Sequence, residues 1–368
     1  MNRLDPTLLQ SKHHFETLDG LRGVAAISVV IFHFMEMVTN GYEHIFIGNG
    51  FLAVDFFFCL SGFVIGYAYD DRIVKMSKFG FFTARVIRLY PMVVFGSVLG
   101  LISFLSDPWP AHLASFDVGR VALLFATSLF LIPFPVVGGR GFTLFTLNAP
   151  AWTLFWEFVA NIVYAFVLSR LKRSWLIVIA VLSAIGLCWV TYKVGNISGG
   201  WNGRTFWHGG IRIAFSFSAG LIIYRFKWII RSNIGFGFLS LLLVLAFVMP
   251  YGRWNWITEP FVIIFYFPLL IMLGAGVRLK ESTKRICRFS GNISYPLYMT
   301  HYAAIWMFGH YVTGHKLSAG QQALVITGGV LVLLGIAYGV MQWYDVPLRK
   351  YLTASRKRVK STVSPVGQ

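Results

Sequence analysis

Apolar runs close to twenty residues long recur along the whole chain. A helix needs about 20 apolar residues to cross the hydrocarbon core of a bilayer, so each run is long enough to span one. Only 12% of the 368 residues are charged, whereas about 25% is usual for a soluble domain. A chain with so few charges lacks the polar surface that it would need in water. The sequence therefore predicts an all-α integral membrane protein, with the lipid bilayer as its surroundings.

Eleven of these runs are candidates for membrane-spanning helices: residues 21–40, 50–69, 87–106, 118–134, 151–168, 174–192, 208–225, 233–250, 258–276, 290–310 and 321–344. Counting all eleven as crossings would put four basic regions of the chain outside, which contradicts the positive-inside rule. Omitting 118–134, the shortest run, returns these regions to the inside. We therefore predict ten transmembrane helices, with the segment near 118–134 either re-entrant or lying along the outer surface.

The distribution of basic residues agrees with this topology. With ten crossings and both termini in the cytoplasm, 25 of the 32 lysines and arginines lie inside and 7 lie outside. The positive-inside rule then explains the formal net charge of +18, so no nucleic-acid partner is expected. We expect a multi-pass protein of the cell's inner (plasma) membrane. Residues 1–350 are predicted to form one transmembrane domain, and residues 351–368 a basic, disordered cytoplasmic tail.

The three cysteines do not form a recognisable metal or disulfide pattern. Cys59, Cys188 and Cys287 lie in or beside apolar runs and show no C-x-x-C spacing. We interpret them as small buried hydrophobic residues, and no metal site is expected.

Ionisable residues inside apolar helices are candidates for function, because the bilayer makes them costly. Arg22 and His33 lie eleven positions apart, which on an α-helix is three turns plus about 20°, so both side chains share one face. The rise between them is roughly 16 Å. We expect Arg22 at the cytoplasmic mouth and His33 near the middle of the bilayer. The alternative for His33 is a structural histidine of the core.

A carboxylate follows in the second apolar run. Asp55 lies five residues into that run, and an ionised carboxylate there needs a partner. His33 is expected at a similar depth on the preceding helix, so we predict that Asp55 pairs with His33 and orients its imidazole. Ser61 and Gly62 lie deeper in the run, where close helix packing is the favoured interpretation.

Two arginines mark the start of the third run. Arg85 and Arg88 are i, i+3 neighbours on a helix, and a pair of guanidinium groups suits phosphate oxygens. The alternative is ordinary anchoring of the helix at the cytoplasmic face under the positive-inside rule.

Two further runs carry polar side chains at helical spacing. Glu157 lies in the apolar segment 147–164, and Tyr295, Tyr298 and His301 recur every three residues in 291–302. Each set could be a structural hydrogen-bonding network. Together with His33 and Asp55, however, Glu157 and His301 place two imidazoles and two carboxylates within one bundle. Packing alone does not explain that density, so we predict a functional site.

At these residues the sequence resembles the membrane acyltransferase-3 family, the saccharide O-acyltransferases. The matching features occur in the family's order between residues 18 and 302: Arg22-x10-His33, the VDFFFCLSGF block around Asp55, Arg85-x-x-Arg88 with Tyr90-Pro91, Trp152-x-Leu154-x-x-Glu157, and Ile293-Ser294-Tyr295-x-x-Tyr298-x-x-His301. Each feature alone is a weak signal, whereas five in order are specific. One departure is Asn161, which stands where many members have a tyrosine one turn after the glutamate.

The resemblance implies ten transmembrane helices and an acyl-CoA donor, above all acetyl-CoA, that enters from the cytoplasm as a co-substrate. No permanently bound cofactor is expected. The family marks His33 as the essential catalytic residue and implies that Arg22, Arg85 and Arg88 hold the donor. Asp55, Glu157 and His301 are the other candidate catalytic residues. Supporting roles are assigned to Ser61, Trp152, Tyr295 and Tyr298.

The function predicted from the sequence is transfer of an acyl group to a hydroxyl of a lipid-linked or cell-surface polysaccharide. The esterase-like C-terminal domain of some members is absent from this sequence. Hand-over to the acceptor would then occur in the membrane part or on separate polysaccharide-assembly proteins. One alternative is a ten-helix transporter or exporter of a polysaccharide precursor that relays protons through the buried histidines and carboxylates. A second is a membrane scaffold without catalytic activity.

Overall fold

The computed structural model describes residues 14–107, 116–315 and 317–362. Within these ranges the chain is helical, without strands, and two isolated β-bridges are its only extended pairings. The predicted all-α class is therefore confirmed for the described part of the chain.

Thirteen α-helices occur in the described ranges. They are α1 (Glu16–Val38), α2 (Ala53–Tyr69), α3 (Lys78–Ser106), α4 (Val118–Leu129), α5 (Ala151–Phe166), α6 (Arg173–Val194), α7 (Phe206–Arg225), α8 (Phe236–Val248), α9 (Asn255–Phe261), α10 (Phe267–Gly276), α11 (Glu281–Gly314), α12 (Ala319–Val340) and α13 (Val346–Thr362). A π-helical turn joins α9 to α10 at Val262–Tyr266, and another joins α12 to α13 at Met341–Asp345. Each of these two pairs thus forms one continuous helical rod.

Eight helical stretches of the described residues are long and apolar enough to cross a membrane. They are formed by α1, α2, α3, α5, α6, α7, the α9–α10 rod and the α12–α13 rod. The helix α11 has 34 residues but a more polar sequence, and α8 has only 13 residues. A total of ten crossings would require both of these helices, so that number stays a prediction.

The segment that we predicted not to cross forms the short helix α4. With 12 residues it is about 18 Å long, less than the roughly 30 Å of a bilayer core. Only Leu124 and Ser128 of this helix are buried. Leu124 packs with Phe104, Val137 and Leu147 in a small apolar cluster, which holds α4 against the side of the bundle.

The helices α1 and α11 run side by side in the same direction and position the candidate site. Near the start of α1, a Cβ at Gly23 would overlap Ser290. Near its end, Gly309 lies against Met37. The absence of a side chain at Gly23 lets the two helices approach closely, and this contact brings the polar residues of α1 next to those of α11.

A second close pair is formed by α2 and α7. A Cβ at Gly62 would overlap the carbonyl oxygen of Phe217, and one at Gly220 would overlap the carbonyl oxygen of Cys59. The predicted packing role of Gly62 is therefore confirmed. This contact fixes α7 against α2, which carries Asp55.

Two sequence predictions about peripheral residues were partly wrong. All three cysteines are free, but only Cys59 and Cys287 are buried, whereas Cys188 lies on an exposed face of α6.

The tail predicted as disordered from residue 351 is helical up to Thr362 as the continuation of α12, because no proline or glycine interrupts residues 349–362. Residues 363–368 lie outside the described part of the chain.

Candidate active site

His33 lies in the second turn from the end of α1, where its ring is held by a carboxylate from the same helix. His33 Nδ1 lies 2.9 Å from Glu36 Oε2, an i, i+3 contact that helix geometry favours. The His33 side chain is 20% exposed, and its Nε2 atom has no hydrogen-bond partner among the described residues. Glu36 thus fixes the ring through Nδ1 and leaves Nε2 available for a reaction.

Glu36 is itself held by the loop that follows α1. The Tyr42 hydroxyl donates to Glu36 Oε1 over 3.0 Å, so both carboxylate oxygens are engaged. Burial, with Glu36 beside it, raises the pKa of the Tyr42 hydroxyl, which therefore stays a hydrogen-bond donor at neutral pH. Sequence reasoning missed Glu36, although its i, i+3 spacing from His33 was a signal for this pair.

The predicted pair of His33 and Asp55 is wrong, because Asp55 binds Arg212 of α7. Arg212 Nη2 donates to Asp55 Oδ2 over 2.6 Å and Arg212 Nε donates to Oδ1 over 3.1 Å. Both side chains are almost completely buried, at 1% and 0% exposure. The guanidinium also donates to the carbonyl oxygens of Gly199 and Phe51. A buried carboxylate requires such compensation, and the planar guanidinium provides it in two parallel bonds.

His301 of α11 lies beside His33, as the density of buried histidines suggested. The two rings stack with centroids 5.5 Å apart and planes inclined by 23°. Tyr302 meets the His33 ring edge-on at 4.9 Å. The Nδ1 atom of His301 lies 3.2 Å from the carbonyl oxygen of Leu297, and its Nε2 atom has no partner in the described chain. His301 therefore confines the His33 ring to one orientation.

A cavity of about 220 Å³ opens beside His33, and we call it the His33 cavity. Aromatic and charged side chains dominate its wall: Phe32, His33, Glu36, Tyr42, Phe51, Arg140, Trp152, Trp201, Arg212, Tyr298, Tyr302 and Trp306. Trp152, predicted as a supporting residue, lies with its ring 5.4 Å from the Arg212 guanidinium. Rings next to polar groups suit a ligand that has both apolar and hydroxyl-bearing faces.

A second cavity, of about 160 Å³, contains the three arginines singled out from the sequence. We call it the arginine cavity. Its wall is formed by polar residues from five helices together with apolar residues of α2, the polar ones being Arg22, Ser61, Arg85, Arg88, Thr153, Glu157, Ser294, Tyr295 and Tyr298. The sequence prediction that Arg22, Arg85 and Arg88 act at one place is thus consistent with their positions.

Glu157 lies in the arginine cavity and not beside His33. Its Oε1 atom accepts from Arg85 Nη2 over 2.8 Å and from Ser61 Oγ over 3.1 Å. Ser61 therefore has a polar contact in addition to its place in the α2 helix. The four ionisable residues predicted as one group are thus divided. His33 lines one cavity with His301 stacked on its ring, Glu157 lines the other, and Asp55 is bound to Arg212.

Arg22 and Arg88 differ in the hydrogen bonds and ion pairs that they make within the protein. Arg22 donates to Ser294 Oγ over 3.0 Å and to the carbonyl oxygen of Gly291 over 2.7 Å, and it lies 3.0 Å from Asp19. No hydrogen bond or ion pair involves the half-buried Arg88 side chain within the described ranges. Arg88 is therefore the guanidinium of this cavity with the most capacity for an anionic ligand.

Tyr298 connects the two cavities, because it belongs to the wall of both, as does Val54. The Tyr298 hydroxyl lies 3.1 Å from Thr153 Oγ1. Its neighbour Tyr295 donates to the carbonyl oxygen of Leu89 over 2.6 Å, which ties α11 to α3. Val54 and Tyr298 are the residues common to both walls, so the two cavities adjoin at these side chains.

The arrangement combines two chemical capacities. Guanidinium groups at one end suit phosphate oxygens. A histidine with a carboxylate on Nδ1 and a free Nε2 suits a general base at the other end. Because the cavities adjoin, a long ligand bound through its anionic end could present its other end to His33.

Comparison with known proteins points to one family. A family model described as an acyltransferase domain, of the acyltransferase-3 type, matches residues 15–341, which include both cavities. Protein 2 in picA locus of Rhizobium radiobacter is 34% identical over 182 residues, 47% of this chain and 92% of that protein. The O-acetyl transferase of Shigella phage Sf6 is 25% identical over 252 residues, 66% of this chain and 72% of that protein. No solved structure matches the chain.

Proposed function

This chain belongs to the acyltransferase-3 family and is a membrane O-acyltransferase; we propose that it moves an acetyl group from acetyl-CoA on the cytoplasmic side to a hydroxyl of a saccharide at the outer face. The choice of acetyl rests on the name of the phage relative, an O-acetyl transferase. The choice of a lipid-linked or surface polysaccharide as acceptor rests on the family resemblance.

The observation that carries the proposal is the adjacency of the two cavities. Arg22, Arg85 and Arg88 line one of them, and His33 lines the other. Along α1 the rise from Arg22 to His33 is about 16 Å, a distance that the pantetheine arm of coenzyme A is able to span. A donor held by its phosphates at the arginines would therefore present its thioester near His33.

The arginines have different tasks in donor binding. Arg88, which has no ion pair in the described part of the chain, is the main ligand for a phosphate oxygen. Arg85 is oriented by Glu157, and Arg22 by Asp19 and the backbone of α11. These partners already neutralise part of the charge of Arg85 and Arg22. The two arginines therefore form part of the cavity wall and contribute less than Arg88 to the free energy of donor binding.

The proposed acyl transfer is supported by the geometry at His33. Nε2 of His33 accepts the proton of the acceptor hydroxyl while the hydroxyl oxygen attacks the thioester carbonyl carbon. The new C–O bond forms, the C–S bond breaks, and the coenzyme A thiolate takes the proton back from His33. Glu36 stabilises the imidazolium that exists between these two proton transfers. An acetyl-histidine intermediate is the alternative route.

The proposed orientation has both termini in the cytoplasm and ten crossings, with α8 and α11 added to the eight long apolar stretches. It puts Arg22, Arg85 and Arg88 at the cytoplasmic end and the His33 cavity towards the outside. The inner membrane is the corresponding location.

A transporter with the same topology would not transfer label from acetyl-CoA, so transfer of labelled acetyl to membrane saccharide separates the two functions.

Replacing Arg88 by glutamine should raise the KM for acetyl-CoA by about 10-fold or more, because a hydrogen bond to a charged group contributes about 1.5–3 kcal/mol. The KM for the acceptor should change little. Initial rates in membranes with varied [¹⁴C]acetyl-CoA provide the measurement. The matched control is Arg72→Gln, since Arg72 is an exposed arginine just beyond α2 whose Nε donates to the carbonyl oxygen of Ala68. An unchanged KM for acetyl-CoA in Arg88→Gln would contradict donor binding at this cavity.

Replacing Glu36 by glutamine should lower kcat by about 100-fold while the KM for acetyl-CoA stays near its normal value. The amide keeps the shape of the side chain but no longer stabilises a positively charged His33 ring. The readout is kcat against KM for the purified protein in nanodiscs. Glu43→Gln serves as the control, because Glu43 is an exposed glutamate in the loop that follows α1. A kcat close to that of the unchanged protein would show that Glu36 has no part in the proton transfer.

A further inference from the structure

Arg140 contributes a buried guanidinium to the wall of the His33 cavity, and none of the roles above uses it. It ends a short 3-10 turn, Gly138–Arg140, in the connection between α4 and α5. The residue is 1% exposed. Its Nη1 atom donates to the carbonyl oxygen of Thr146 over 2.8 Å. Its Nε and Nη2 atoms have no hydrogen-bond acceptor in the described chain.

Aromatic rings hold this guanidinium in place. Its central carbon lies 4.7 Å from the ring centre of Phe104 and 4.8 Å from that of Trp306, two cation–π contacts. Trp306 also lines the cavity, and its Nε1 atom has no acceptor among the described residues. Three donor nitrogens that have no acceptor among the described residues therefore lie close together at one side of the cavity.

The positive charge of Arg140 is only partly compensated. No carboxylate lies within ion-pair distance of it in the described ranges. Asp107 attracts it from further away, but the Asp107 carboxylate lies against the His310 ring. Burial lowers the pKa of Arg140 to about 10 in spite of that attraction. A buried cation with spare donors is unfavourable unless a ligand supplies the missing acceptors.

Arg212 of the same cavity provides the internal comparison. Its guanidinium is bound by Asp55 and by the carbonyl oxygens of Gly199 and Phe51. The fold thus supplies acceptors for the guanidinium of Arg212, whereas Nε and Nη2 of Arg140 have none in the described chain. The difference between two equally buried arginines is what points to a ligand for Arg140.

We propose that Arg140 and the indole N–H of Trp306 bind an anionic group of the acceptor saccharide, so that the enzyme acts on acidic or phosphate-linked sugars. The oxyanion could be a carboxylate of the sugar itself or a phosphate of its lipid carrier. The rings of Trp152, Trp201 and Trp306 in the same wall suit the apolar faces of a sugar. This inference rests on the proposed function, because it specifies the acceptor of that reaction.

The test measures binding directly by isothermal titration of the purified full-length protein, with coenzyme A present to fill the arginine cavity. The probes are glucuronate, glucose and inorganic phosphate. Saturable binding of glucuronate but not glucose identifies a sugar carboxylate, and binding of phosphate but not glucose identifies a phosphate-linked acceptor. If neither anion binds more tightly than glucose, the inference is overturned.

Variants locate the binding at Arg140. Arg140→Gln should weaken anion binding by about 10-fold or more. Arg140→Lys should also weaken it, since lysine keeps the charge but loses the planar fork. Arg204→Gln, in an exposed arginine outside the cavity, should bind as before. Anion binding that is unchanged in Arg140→Lys, or in a folded Arg140→Gln, overturns the inference. Because this assay needs no turnover, its result is separate from success or failure of the acyl-transfer assay.

Discussion

Replacing His33 by alanine is expected to lower kcat for acetyl transfer by about 100- to 10,000-fold, the contribution typical of a general base. The alanine leaves no histidine in the wall of the His33 cavity, because His33 is the one histidine among the described residues that line it. The KM for acetyl-CoA should stay near its normal value, because the donor is bound in the arginine cavity. The measurement is the rate of [¹⁴C]acetyl transfer to membrane saccharide at saturating donor.

The control for this prediction is His44→Ala. His44 follows α1 in a short 3-10 turn and its side chain is 68% exposed, so its loss should leave the rate unchanged. His301→Ala should give an intermediate loss, because it removes only the ring that stacks on His33. A His33→Ala protein with nearly unchanged kcat would show that another group accepts the proton.

The second large effect concerns folding. Asp55→Asn should lower the free energy of unfolding by about 3–5 kcal/mol, because it leaves the Arg212 guanidinium buried without its counter-charge. Thermal unfolding of the detergent-solubilised protein measures this loss. The matched control Asp71→Asn lies at an exposed position near the end of α2, where the same replacement should have little effect.

A double replacement separates structural from catalytic importance. Asp55→Leu together with Arg212→Met replaces the buried pair by apolar side chains, which is often neutral or stabilising. We expect the double variant to be more stable than Asp55→Asn. If Asp55→Asn keeps its stability but loses activity, then Asp55 takes part in the reaction and its pairing with Arg212 is not its main role.

The positions of the helices could be predicted from the sequence, and the partners of their polar residues could not. Each apolar run falls on a helix because burial in lipid requires both apolar side chains and internal backbone hydrogen bonds. The pairing of Asp55, however, depends on α7 packing against α2, which brings Arg212 to it across 157 positions of sequence. Nothing local to Asp55 indicates that contact.

Helix depth would have placed Glu157 more accurately. Asp55 is the third residue of α2 and Ser61 the ninth, while Glu157 is the seventh residue of α5. Counting a rise of about 1.5 Å per residue puts Glu157 nearer the level of Ser61 than that of Asp55. The structure has this contact. The depth of each polar residue along its own helix is thus a better guide to its contacts than the number of polar residues in the bundle.

Glu36 and Arg140 were overlooked for different reasons. Glu36 lies near the end of α1, where a carboxylate is easily interpreted as interfacial, yet its spacing from His33 was informative. Arg140 counted only as one of the seven outer basic residues of the predicted topology. Its burial follows from the small cluster around Phe104 and from Trp306 of α11, contacts that only the folded chain reveals.

The central claim is that an acetyl group passes from a donor on the cytoplasmic side to a hydroxyl activated by His33. Sealed vesicles of defined orientation test it, because the charged acetyl-CoA does not cross a bilayer. Vesicles with the cytoplasmic face outward should transfer label from added [¹⁴C]acetyl-CoA to their saccharide. Right-side-out vesicles should do so only after permeabilisation. Equal labelling of intact right-side-out vesicles would contradict the path from the arginine cavity to His33.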